Sequence, residues 1–142
     1  MFVFYGVNFW AVLVAALAAF VIGAIWFGPK TFYPMWWKAL GKSPDQQPGS
    51  ANMFAVFGLT FVGVLLASLG LAMVISFANS AFGPIGWATG AFLGGLLGLL
   101  IGGGTSLSHR MFSGQGFKVW LLEVGNDVVA LAAAGAILAI WR

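Results

Sequence analysis

The chain has 142 residues with six basic and three acidic side chains, where a soluble chain of this length carries about 35 charged residues. With 61% apolar residues, a mean hydropathy of +1.01 and no Asp, Glu, Lys or Arg in residues 46–109, an ordinary water-soluble globule is excluded and an integral membrane protein is indicated. The absence of cysteine removes disulfides, thiolate nucleophiles, Cys-type zinc sites and iron–sulfur ligation; one histidine makes no metal cage, and a net charge of +3 spread singly makes no nucleic-acid footprint.

The first apolar run, residues 8–27, is long enough as a helix to cross a bilayer core, and Gly28-Pro29 ends it. A cleavable signal peptide is the competing reading. The first ten residues hold no Lys or Arg and the run exceeds a signal core, so a retained span is expected. The loop that follows carries Trp36, Trp37 and Leu40 on one face of a short predicted helix after Pro34, with Lys38 and Lys42 on another and Gly41 near its end. Such a piece lies flat among the headgroups as an interfacial anchor, with recognition of anionic lipid as the sharper alternative. Residues 43–50, with Pro44, Pro48 and Gly49, read as a flexible linker.

The second predicted span covers residues 52–77, and the cluster Asn79-Ser80-Ala81-Phe82-Gly83-Pro84 predicts a tight reversal. The third covers 85–108, closed by His109-Arg110, and a turn at Ser113-Gly114-Gln115-Gly116 leads into the fourth, 117–141. The expected fold is thus a single all-α membrane domain over 1–142, an antiparallel bundle of four transmembrane helices with a short interfacial helix in the first loop. Lys30, Lys38, Lys42, Arg110 and Lys118 fall on one side and only Arg142 on the other. The positive-inside rule therefore places both termini outside the cytoplasm, in an inner membrane if the source is bacterial. Trp10, Trp26, Trp87, Trp120 and Trp141 near span ends agree with an aromatic belt.

Helices in lipid gain nothing from pressing apolar faces together, so small residues that admit close backbone approach carry much of the association. Gly86, Gly90, Gly94, Gly98 and Gly102 recur every fourth residue and predict a packing seam along the third span. Ala11, Ala15, Ala19 and Gly23 repeat the spacing in the first span, and Ala130 and Ala134 offer the same in the last. The Gly102-Gly103-Gly104 run predicts a bend or unwinding, with Thr105, Ser106 and Ser108 supplying replacement hydrogen bonds.

Two carboxylates fall inside the last span. Glu123 and Asp127 are one turn apart on one face, with Asn126 adjoining them, and Asp127 lies roughly 14 Å along the axis from Lys118. An ionised Asp at that depth costs about 2.5–3.5 kcal/mol, so this face is expected to point into the protein. With no Lys or Arg inside another span, a conventional buried ion pair is not expected; Lys118 snorkels toward Glu123, and Asn126, Thr60, Ser68 or Thr89 are the expected partners of Asp127. One reading is a polar glue in a helix-packing or accessory subunit of a membrane assembly. The alternative is a proton- or cation-coupled small-solute transporter using Asp127 and Glu123. No catalytic triad, phosphate-cradling loop or metal motif accompanies the pair, so an enzyme is not expected, nor is a cofactor.

The chain resembles the domain-of-unknown-function family seventeen sixty-one, small four-helix membrane proteins of bacteria and fungi. The resemblance rests on Asn8 opening the first helix, on Trp26-Phe27-Gly28-Pro29 closing it with Trp36-Trp37 and Gly41 following, and on a last helix with polar residues that ends at Trp141. It implies a fold and a membrane location but no catalytic or binding residues. The bilayer, further copies of the chain or a larger membrane complex are the partners to be expected.

Overall fold

A computed structural model describes residues 4–46 and 52–141. Arg142 and the linker positions Pro48 and Gly49 lie outside the described residues. The elements are α1 (Phe9–Trp26), α2 (Tyr33–Ala39), α3 (Met53–Phe82), α4 (Trp87–Leu97), a π-helical segment (Gly98–Gly103), α5 (Gly104–Phe112) and α6 (Phe117–Ile140), with no strand among the described residues. Because α4, the π segment and α5 run on without interruption, four helices are long and apolar enough to cross a membrane. The protein is an integral membrane protein on that composition.

Local chemistry sets the helix ends. The Asn8 side chain accepts from the backbone N–H of Trp10 at 3.0 Å and of Ala11 at 3.3 Å, and Asn52 accepts from Phe54 N–H at 3.0 Å, so both helices begin on a side-chain cap. At the far end of α1 the Thr31 hydroxyl sits against the carbonyls of Ile25 and Trp26. The second span runs on to Phe82, through the Asn79-Ser80 pair where the reversal was expected. Ser80 Oγ donates back to Ser76 O at 3.0 Å and Asn79 Oδ1 accepts from Ile85 N–H at 2.9 Å, so these polar groups serve the helix and its exit. The reversal narrows to Gly83, at φ +81°, and the residues just after it.

Packing differs sharply along the bundle. At the end remote from Lys30 and Arg110, a core of Ala11, Val12, Ala15, Leu71, Ala72, Ile75, Ala134 and Leu138 brings α1, α3 and α6 together. There α4 lies on α6 at backbone contact. A Cβ added to Gly90 would stand 2.3 Å from Gly135 O, and one added to Gly94 would stand 1.9 Å from Leu131 O. Farther along, Gly98 meets the backbone of Asp127 and Gly103 meets Val124, whereas Gly86 and Gly102 have nothing within 4 Å. A stripe spaced by four stays on one face of an α-helix only while the turns stay α-helical. The wider π turn of Gly98–Gly103 advances the phase by about one residue, so the seam passes from Gly98 to Gly103 and leaves Gly102 aside.

Thr105 Oγ1 donates to Ile101 O at 2.8 Å and Ser106 Oγ to Gly103 O at 3.3 Å, which supplies hydroxyl partners to the carbonyls of this segment.

Candidate functional site

The last helix places both acids, and its neighbours separate them. Glu123, expected to depend on Lys118, is held instead by Arg110, whose Nε bonds to Oε2, and by Trp36, whose Nε1 donates to Oε1 at 3.1 Å. Lys118 is exposed. The pair is partly exposed rather than buried, and it forms because helix α5 continues past the expected end of the third span and carries Arg110 round to face α6 across the Ser113–Gly116 turn.

The loop helix α2 is docked by the same contact. Trp37 is buried, stacked on Tyr33 at 5.5 Å between ring centroids, and donates through Nε1 to Ser43 O at 2.9 Å. Lys42 Nζ lies 4.4 Å from the Trp37 ring, a cation–π contact, so the two faces expected to be separate meet at that ring. Lys38 is exposed. The expected anchor residues Trp36 and Trp37 therefore spend their polar groups on protein atoms.

Asp127 goes elsewhere. It lines an open cavity of about 660 Å³ between α1, the first half of α3, the π segment and α6. The walls are mostly apolar: Phe20, Phe27, Val56, Phe57, Val64 and Leu131 supply most of the bulk, and Gly23, Gly63 and Ala67 leave the space open. Asn126 and Thr60 add the other polar side chains, and the lining contains no basic residue. Thr60 Oγ1 donates to Val56 O at 2.7 Å, while the buried Asn126 Oδ1 has no hydrogen-bond donor. Gly23 of α1 faces that amide: a Cβ there would stand in ordinary van der Waals contact, 3.7 Å from Asn126 Oδ1.

Of the residues singled out from sequence, Asn126, Asp127 and Thr60 share the cavity, as does Gly102, which faces it rather than the seam. Ser68 is fully buried without a partner for its hydroxyl, and Thr89 is exposed; neither lines the cavity. Sequence reasoning missed Arg110 and Trp36 as partners of Glu123. It also missed Gly135, whose own Cβ would stand 2.0 Å from Gly90 O, and Gly125, which seats the Trp26 ring. Glycine set among alanines and valines in a membrane helix was the available signal for the last two. Trp26 then donates through Nε1 to Leu122 O at 2.9 Å, and Trp120 to Gly103 O at 2.8 Å, tying three helices at the end that carries the basic residues.

No metal-binding group of three or more His, Asp or Glu occurs among the described residues. What the arrangement can do chemically follows from its parts: a carboxyl group at the wall of an apolar cavity beside an asparagine whose oxygen is buried, with the one nearby guanidinium engaged by another acid.

No curated protein and no solved structure matches the chain. A family pattern described as "Protein of unknown function (DUF1761)" matches residues 10–139, which takes in all four long apolar helices and the cavity, and the chain belongs to that family.

Proposed function

We propose that the protein is a small membrane carrier that binds a cationic solute in the cavity, with Asp127 as the counter-charge. The single observation that carries this reading is the placement of Asp127 on the wall of a 660 Å³ space with no basic side chain in its lining. A carboxylate at membrane depth needs compensation, and a cationic solute adds to the little that Asn126 and the more distant Arg110 supply. Glu123 is a structural partner in this reading, since Arg110 and Trp36 already occupy both of its oxygens. An antiparallel bundle is part of this reading, supported by the contacts of α4 and the π segment with α6, which pair rising numbers in one with falling numbers in the other. The basic loops lie on the cytoplasmic face of an inner membrane, α2 rests at that interface, and the cavity belongs to the inner half. The protein is not an enzyme.

The test is uptake of a permanently charged probe, 4-phenylbutyltrimethylammonium, into proteoliposomes with an inside-negative potential. Uptake above protein-free vesicles is expected at millimolar probe, and Asp127→Asn is expected to abolish it while the protein still purifies as a folded species. Uptake that survives Asp127→Asn removes the reading.

A second reading, an accessory subunit of a larger assembly or of a homo-oligomer, draws on a different observation. Gly58 and Gly70 on α3 are exposed with nothing within 4 Å and lie outside the cavity lining, so this helix retains small-residue surface that the chain itself does not use. Native mass measurement after gentle extraction decides it: a monomeric particle excludes this role.

A further inference from the structure

One side of the cavity is left uncovered by the described residues. α3 packs through its second half, where Ser68, Leu71, Ala72 and Ile75 are buried and Leu71 reaches the third span at Gly94. Its first half packs far less: every residue from Asn52 to Thr60 is exposed. The third span has the matching gap, since a Cβ on Gly102 or Gly104 would meet nothing within 4 Å, and Leu100 and Ile101 beside them are exposed. α3 packs on α1 and α6 but makes no comparable contact with the π segment or α5. A slot thus runs between α3 and the π segment, with Thr60 on one lip and Gly102 on the other, both part of the cavity lining. The flank between α1 and α3 is shut, because Phe20 meets Phe57 and Phe61 edge to face, at 6.5 and 5.6 Å between ring centroids. Thr60 lies about 12 Å along its helix from Asn52, and Gly102 about 12 Å from Arg110, so the slot opens into hydrocarbon rather than at the headgroups.

We infer that the slot is a lateral gateway, and that the solute is an amphiphilic organic cation which enters through it from the leaflet on the basic side. This rests on the carrier reading above and adds to it a route and a body, neither of which a cation site as such imposes. Charge and hydrocarbon find separate places. Asp127 is the counter-charge, while Phe27, Val64 and Leu131 leave the rest of the wall apolar. An amphiphile dissolved in the leaflet already holds its apolar part at the depth of the slot, with a gain for every methylene that leaves water. Its charged end otherwise stays among the headgroups, and moves inward where a carboxylate compensates it. A small hydrophilic cation has neither the concentration in the leaflet nor the body that covers the apolar wall. Without solute, acyl chains of the same leaflet stand in the slot.

The chain has no cysteine, so Gly102→Cys, where a Cβ strikes nothing, gives a single thiol for a bimane label. Its emission is read in liposomes against phosphatidylcholine with a nitroxide on the acyl chain and against aqueous iodide. The chain nitroxide is expected to quench most of the emission and iodide almost none. 4-Phenylbutyltrimethylammonium is expected to relieve that quenching, tetramethylammonium at the same concentration is not, and the relief is expected to vanish in Asp127→Asn. Thr60→Cys, on the other lip, carries the same label if the first variant does not fold. Quenching by iodide in place of the chain nitroxide, or chain quenching that the amphiphile leaves unchanged, overturns the gateway. Equal relief by tetramethylammonium overturns the amphiphilic class. Uptake that depends on Asp127 leaves the carrier reading standing in each of these cases. Relief that persists in Asp127→Asn, or uptake indifferent to it, removes the carrier reading and this inference with it.

Discussion

The two halves of the bundle use the same kind of residue on α1 and reach opposite results. In the remote half Ala11 and Ala15 are buried at 1% and 0% exposure against Leu71, Ile75 and Leu138; past Ala19, itself still buried, Gly23 and Ala24 in the basic half border an open cavity. The partner helix makes the difference. Small residues close an interface when the facing side chain is an aliphatic of matching size, or when the opposite backbone comes into contact, as Gly90 does with Gly135. Where α3 presents Thr60, Gly63 and Ala67 to Gly23 and Ala24, small faces small without backbone contact, and a space remains. Asp127 sits in the half that holds the open cavity.

The largest expected effect separates those halves directly. Gly94→Leu puts a branched side chain where even a Cβ would lie 1.9 Å from Leu131 O, so α4 must leave α6. A loss of about 3 kcal/mol or more is expected, enough to remove the folded species in a detergent denaturation series. Gly63→Leu adds the same atoms on the cavity wall, where nothing stands within 4 Å. Its cost is expected to stay within about 0.5 kcal/mol, while the probe uptake described above falls. Equal destabilisation by the two substitutions would erase the distinction between a packed and a hollow half.

Legibility in the sequence divides along similar lines. The apolar runs are long enough that the four spanning helices follow from hydropathy, and Asn8 and Asn52 lie just ahead of the helices they cap. Direction is what a single sequence leaves out. Trp26 and Trp120 have the position of belt residues, yet their indoles donate to Leu122 O and Gly103 O, because distance to a span end does not say which way a ring turns. Glu123 and Asp127 share a helix face by spacing, but Arg110 and Trp36, brought by α5 and α2, engage only the first. Asn126 and Asp127 stand out in the sequence because polar side chains at that depth require shelter, and both line the cavity. The cavity itself does not, since it arises from what α1 and α3 fail to fill.

The Glu123 cluster sharpens the comparison at an intermediate scale. It holds α2, α5 and α6 together at the basic end, where the Trp26 and Trp120 indoles tie α1 and the π segment to α6. Side-chain exposures of 35% for Arg110 and 21% for Glu123 place the pair between a surface bridge and a buried one. A double-mutant cycle with Arg110→Gln and Glu123→Gln is therefore expected to give a coupling of about 1 kcal/mol. The same cycle with Lys118→Gln is expected to give none, since Lys118 is exposed and Arg110 already holds Glu123. A coupling to Lys118 as large as that to Arg110 would restore the partner expected from sequence and detach α5 from the cluster.

The smallest effect bears on how the seam crosses from one half to the other. An unbroken α-helical register from Gly90 through Gly94 and Gly98 puts Gly102 next in line against α6. The π turn puts Gly103 there instead, with a Cβ 3.1 Å from Val124 and 3.6 Å from the Trp120 ring, and turns Gly102 to open space. Gly102→Ala relieves a helix of glycine's backbone entropy with nothing to strike, so a gain of a few tenths of a kcal/mol up to about 1 is expected. Gly103→Ala has the same gain to offer but must push a branched valine side chain aside at the place where Trp120 is bonded to the Gly103 carbonyl, and a net loss of a few tenths of a kcal/mol is expected. The order of the two is the decisive reading: Gly102→Ala more damaging than Gly103→Ala means that the register is continuous, that Gly102 belongs to the seam, and that the cavity loses the wall on which its opening toward α6 depends.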